Sequence, residues 1–192
     1  MNLNRLITIS KKEFSDHITS RRFLLILFII CLVLGGVAAA NGVTNYYDAL
    51  DKYKNGNEGG YLFTPSILLA FSQITNSIGL YGLGAVIGIA LGFDLVSGGE
   101  REGRSLKTIL SQPVYRDEVI NGKAIGGIIS LTLITLTGFL TVVAVFLIIG
   151  IVPSVDEFFL IGVIWLITLL FIISAFSLAL MSSVLAKTSS GA

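Results

Sequence analysis

Phe23 to Ala40 reads FLLILFIICLVLGGVAAA, a run without a single charge. As a helix rising 1.5 Å per residue it covers about 27 Å, enough to cross the hydrocarbon core of a bilayer. Three more apolar stretches follow, at roughly Ile74–Val96, Ala124–Ile149 and Phe158–Leu185. The last two exceed the ~20 residues a span needs, so they tilt or project beyond the lipid. The chain therefore reads as all-α: a polytopic membrane helical bundle with four transmembrane helices. Composition agrees, since only 13% of its 192 residues are charged, against about 25% in an ordinary soluble domain. A net charge of +1 gives no electrostatic case for nucleic acid.

A cleaved signal peptide competes for the first run, because Ala38-Ala39-Ala40 imitates an A-x-A site. The polar segment ahead of it is too long for that reading, and the run exceeds the usual ~7–15 apolar residues. Orientation follows from the basic residues. Arg5, Lys11, Lys12, Arg21 and Arg22 precede the first span, and Arg101, Arg104, Lys107, Arg116 and Lys123 fall in segment 97–123. Segment 41–73 holds only Lys52 and Lys54, segment 150–157 none, and the tail Lys187. The positive-inside rule puts both termini and segment 97–123 in the cytoplasm. The membrane expected is the plasma membrane.

Ahead of the first span, Leu3, Leu6, Ile7, Phe14 and Ile18 fall near one helical face, while Lys11, Lys12, Glu13 and Asp16 fall elsewhere. That pattern describes an interfacial helix lying on the inner leaflet; the alternative is a frayed polar tail. Segment 41–65 is polar and rich in Gly, Asn and Tyr, too short for a separate folded domain. Pro65 is placed to begin the next helix, which the apolar Ser66–Phe71 pattern extends outward from the second span.

Gly84, Gly88 and Gly92 stack on one face of the second span. In lipid such a strip lets another helix approach closely, within the bundle or across a dimer; a substrate groove is the alternative. The third span carries Ser130, Thr132, Thr135, Thr137 and Thr141. Hydroxyls in such helices usually bond back to the i−4 carbonyl, and Thr137 with Thr141 is the pair to line a path if any strip does. Asp94, near the cytoplasmic boundary, reads as a partner for Arg101 or Arg104 rather than as a proton relay. With no acid or base near the middle of a span, an ion-coupled secondary transporter has little to work with.

Catalytic and metal chemistry find no residues. His17 and Cys31 are the single His and Cys, which cannot make a His/Cys zinc site, and H-E-x-x-H is absent. Val96-Ser97-Gly98-Gly99-Glu100 nearly matches the signature of a cassette ATPase. Yet Gly122-Lys123 lacks the earlier glycine of a phosphate loop, and Val155-Asp156-Glu157 follows Pro153 and Ser154 rather than an apolar strand. The chain is not expected to hydrolyse ATP or to act as an intramembrane enzyme.

Segment 97–123 reads instead as two short amphipathic helices. Gly98-Gly99 ends the second span, and Leu106, Ile109 and Leu110 share one apolar face. Pro113 stops that helix, and Asp117 and Glu118 sit in the first turn of the next. Charges of both signs flank the apolar face, which suits a soluble protein partner better than lipid.

GEREGRSLKTILSQPVYRDEVINGKAIGG, Gly99 to Gly127, resembles the cytoplasmic loop of ABC-2 type transporter permeases. That family's usual form is a Glu-Arg-Glu run, Gly-Thr-Leu, Leu-Leu-Ser-x-Pro-Val, an acidic turn and Gly-Lys. Here Arg104-Ser105 replaces the Gly-Thr pair, and Tyr115 stands where a small capping residue is common. The resemblance implies the transmembrane subunit of an ABC transporter, usually an exporter, paired with a separate cassette ATPase and a second permease copy. ATP and magnesium would sit on the partner alone, with no cofactor or metal here. Carried over by position, Glu100, Arg101, Glu102, Leu106, Lys107 and Leu110 would make or support the ATPase contact. Such permeases typically have six spans, so the four here are expected to be a truncated set completed by further sequence or another chain. The alternative is a non-transporting anchor or assembly component that keeps the docking loop. No feature selects a substrate.

Overall fold

The computed structural model describes residues 3–55, 66–68, 71, 80–92 and 116–185. Their regular structure is helical: α1 (Leu3–Thr19), α2 (Arg21–Val37), a π-helical turn (Ala38–Gly42), α3 (Val43–Asn55), α4 (Leu80–Gly92), α5 (Arg116–Ile149) and α6 (Val155–Leu185). Among the described residues, three stretches are long and apolar enough to cross a membrane: Phe23–Asn55, Val119–Ile149 and Val155–Ser183. The second expected span is described as the shorter α4, whose 13 residues cover about 20 Å. The rest of that span lies outside the described residues.

Three boundaries differ from the sequence expectation. The first helix does not end at Ala40, since α3 carries helical backbone through what reads as polar loop. At the π turn the ladder loosens, and side chains reach back to its carbonyls: Thr44 Oγ1 donates to Ala40 O at 2.8 Å and Asn45 Nδ2 to Asn41 O at 2.6 Å. The third expected span begins at Arg116, so the short helix expected after Pro113 and the span are one helix. No proline interrupts it, and Gly122, Gly126 and Gly127 are used for close packing rather than for a break.

The fourth begins at Val155 because Ser154 and Glu157 form a capping box. Glu157 N donates to Ser154 Oγ at 3.3 Å, and Ser154 N to Glu157 Oε2 at 2.8 Å. Val155-Asp156-Glu157 is thus the first turn of a helix. Upstream, α5 ends in a Schellman motif: Gly150 N donates to Leu147 O and Ile151 N to Phe146 O. Gly150 takes φ +90°, which a side chain would oppose. Ile151 and Phe146 are both buried, supplying the apolar contact that accompanies this motif.

The described residues group into two compact units, one within 1–26, 84–133 and 169–192, the other within 27–83 and 134–168. In the second, Phe71 rests on Phe139 and Phe146 at centroid distances of 6.1 and 5.9 Å, with Leu34, Ile67, Val142 and Ile161 buried around them. Ile67, Leu68 and Phe71 have helical backbone, in line with the extension expected after Pro65. Glu157 reaches this segment as well, accepting from Ser66 Oγ and from Ile67 N at 3.0 Å. One carboxylate therefore serves the first turn of α6 and the helical start at residue 67.

Candidate functional site

The structure builds its most specific polar contact where α1 meets the start of α5. Gly122 and Gly126 lie one turn apart on α5, and a Cβ on Gly122 would come within 2.6 Å of Ile9 Cγ2. On Gly126 it would lie 2.8 Å from Glu13 Cβ and 3.0 Å from Ser10 O. The two glycines let the helix surfaces close to backbone distance. Between them Lys123, only 5% exposed, places its ammonium 3.3 and 3.2 Å from the two oxygens of Glu13. A buried ammonium needs such a partner, because its hydration is gone.

The same face of α1 carries Leu6 and Ser10, both buried, and His17. His17 Nε2 lies 3.8 Å from Glu13 Oε1, is buried and has no hydrogen-bond partner among the described residues. Burial holds the imidazole below its usual pKa; the Lys123 charge acts in the same direction, and Glu13 and Asp16 oppose it. The face expected to be apolar is therefore only partly the packed one. Leu6 is inside, but Ile7 is 57% exposed, and Glu13, expected on the polar side, faces α5. The reason is Lys123, which requires a carboxylate opposite it.

Gly84, Gly88 and Gly92 face α6. A Cβ on Gly84 would meet Ile172 Cγ1 at 2.8 Å, one on Gly88 the Ile172 carbonyl at 2.8 Å, and one on Gly92 the Phe176 carbonyl at 2.9 Å. Gly88 and Gly92 thus approach the α6 backbone, and Gly84 a side chain, all within one chain. The Phe176 ring covers Gly127 of α5, and Phe176 is 1% exposed.

Thr137 and Thr141 donate to Ile134 O at 2.9 Å and Thr137 O at 2.8 Å. The Thr141 methyl packs on Gly35 of α2, 3.3 Å from where a Cβ would stand. Trp165 Nε1 donates to Thr135 Oγ1 at 3.3 Å, joining α6 to α5. Among the described residues no group of His, Cys, Asp and Glu could hold a metal ion. Glu100, Arg101, Glu102, Leu106, Lys107 and Leu110, together with the Asp94 pairing, lie outside the described residues.

What sequence reading missed is the pairing of Glu13 with Lys123. The signal for it was Gly122-Lys123-x-x-Gly126, a cation inside a small-residue strip at the head of an apolar helix. Such a lysine needs an acid, and α1 supplies Glu13 and Asp16.

A family model described as ABC-2 family transporter protein matches residues 7–192. A comparison with curated proteins finds no match. The family match takes in the packed face of α1 from Ile7 onward, the Gly-Lys junction and both long helices, so the chain belongs to the ABC-2 transporter family and is a transmembrane transporter subunit.

Proposed function

We propose that this chain couples ATP hydrolysis on a separate cassette subunit to outward movement of a substrate, acting in the plasma membrane beside a second permease copy. The observation that carries the reading is the family match spanning Gly99–Gly127, the segment rich in paired charges that leads directly into α5. In this reading Glu100, Arg101, Glu102, Leu106, Lys107 and Leu110 form the docking surface, and the chain itself neither binds nucleotide nor catalyses. Thr137 and Thr141 are the candidate path-lining hydroxyls.

Four crossings fit the contacts better than three. Lys123 of α5 pairs with Glu13 of α1, which supports a topology with the start of α5 and the segment before the first span on one side of the membrane. The chain then crosses an even number of times between them. Phe23–Asn55 supplies one crossing, and α4, packed on α6 through its three glycines, belongs to the other. The distribution of Lys and Arg makes that shared side the cytoplasm.

The test is co-purification from mild detergent with the cassette ATPase. Glu100→Arg combined with Lys107→Glu is expected to abolish association while the permease stays folded. Unchanged association would remove the docking assignment. ATPase stimulation of the reconstituted pair across a substrate panel then identifies the cargo.

A further inference from the structure

The charge cluster between α1 and α5 has more in it than an ion pair needs. Lys123 already engages both oxygens of Glu13. Beside them His17 presents a buried ring nitrogen, without a hydrogen bond among the described residues, 3.8 Å from the same carboxylate. A histidine kept for packing alone would bury its ring carbons and leave its nitrogens in water or on a carbonyl. Here the nitrogen is aimed at a carboxylate that a buried lysine already uses.

We propose that Glu13, His17 and Lys123 form a pH-sensitive latch: protonation of His17 sets a second cation against Lys123 for one carboxylate and frees α1 from the head of α5. The charged groups facing His17 among the described residues are Glu13 and Asp16 on its own helix and Lys123 on α5. In the docked state, side-chain exposure is 17% for His17 and Glu13 and 6% for Lys123, so little water reaches them. A proton taken from solvent by the imidazole leaves two cations on one carboxylate in that setting. When α1 releases, all three groups regain full hydration. Burial is the main cause that favours the neutral ring; the Glu13 charge opposes it, and Lys123 acts with burial.

The direction of the pH dependence follows. The docked state holds His17 below its usual value, so the free state binds the proton more readily. The grip is complete above about pH 6.5, the unperturbed histidine value, and is lost progressively as the pH falls below it. The latch does not depend on the ATPase docking reading, because it lies between two helices of this chain.

The experiment is a pulsed electron-spin distance measurement on the full chain in nanodiscs. Spin labels go on Lys12→Cys and Ile125→Cys in a Cys31→Ser background, since Lys12 and Ile125 are exposed. One distance population is expected at about pH 8, and a second, longer one at about pH 5. His17→Gln, which cannot take the proton, is expected to give the single population at both. Glu13→Gln, which weakens the grip on Lys123, is expected to show the second population already at the higher pH. A single population in the wild type at both values overturns the latch, as does a pH response that persists in His17→Gln. An unshifted distribution in Glu13→Gln would show that the ion pair does not hold α1, which also overturns it.

Discussion

The buried Lys123 sets which side of α1 faces α5. Lys123 sits one residue after Gly122 and three before Gly126, where close approach of α1 excludes water from its ammonium. Glu13 is what makes that position tolerable. Lys123→Ala leaves the Glu13 carboxylate facing an apolar gap, and the expected loss is about 1–3 kcal/mol, since Glu13 keeps some solvent contact. Thermal unfolding in detergent reads the loss. Lys123→Met should lose less, because it fills the volume, and Lys123→Met combined with Glu13→Leu less again, because no charge is then stranded. If the single alanine variant unfolds with the wild type, the pair is worth nothing and α1 is held by its apolar contacts. This pairing was not legible from helical periodicity. A helical wheel sorts residues by polarity, so it places Glu13 with Lys11, Lys12 and Asp16 on the water side. Only the partner helix, more than a hundred residues away, shows which of those four faces inward. Nor was the place of Leu6 against α5 legible, because an apolar residue beside a membrane can face lipid, as Ile7 on the same expected face stays exposed.

At the scale of elements, the apolar runs at Phe23, Ala124 and Phe158 are helical as read, while α3 was read as loop and the helix ends differ. The apolar runs specify helices because unpaired backbone groups are too costly in lipid. Their ends lie where polarity returns, and there the capping chemistry decides. Val155-Asp156-Glu157 imitates part of a nucleotide site, yet Ser154-x-x-Glu157 is a capping box and adds a polar turn to α6. In the same way Thr44 and Asn45 satisfy carbonyls of the π turn and let helix persist into α3. The connection from α5 to α6 is held by Gly150 on one side and by Ser154 with Glu157 on the other. Gly150→Ala forces a side chain into φ +90° and is expected to destabilise by about 1–2 kcal/mol. Ser154→Ala removes one cap, for about 1 kcal/mol. The two positions share no hydrogen-bond partner, so their effects on the unfolding midpoint should add. A double variant that loses no more than Gly150→Ala alone would mean the cap of α6 is not formed.

For the whole molecule the question is how many times the chain crosses. Among the described residues, length and composition single out three stretches, whereas the proposed topology, with α1 and the head of α5 on one side, has an even number of crossings between them. The two views make opposite statements about the α5–α6 connection. With a crossing in the stretch that includes α4, the connection at residues 150–154 lies on the far side from α1. Without one, the start of α5 lies across the membrane from α1, Lys123 cannot reach Glu13, and the connection returns to the side of α1. Single cysteines in a Cys31→Ser background distinguish them: Lys12→Cys on α1 and Val155→Cys at the head of α6, where Val155 is 87% exposed. In intact cells a membrane-impermeant maleimide is expected to label position 155, and to reach position 12 only after permeabilisation. Labelling of both positions under the same condition would take α4 out of the membrane. It would also remove the contact between α1 and α5, so Lys123→Ala would then leave stability unchanged. The two measurements are thereby tied, because in the proposed topology one ion pair accounts for both the local grip and the parity of the crossings.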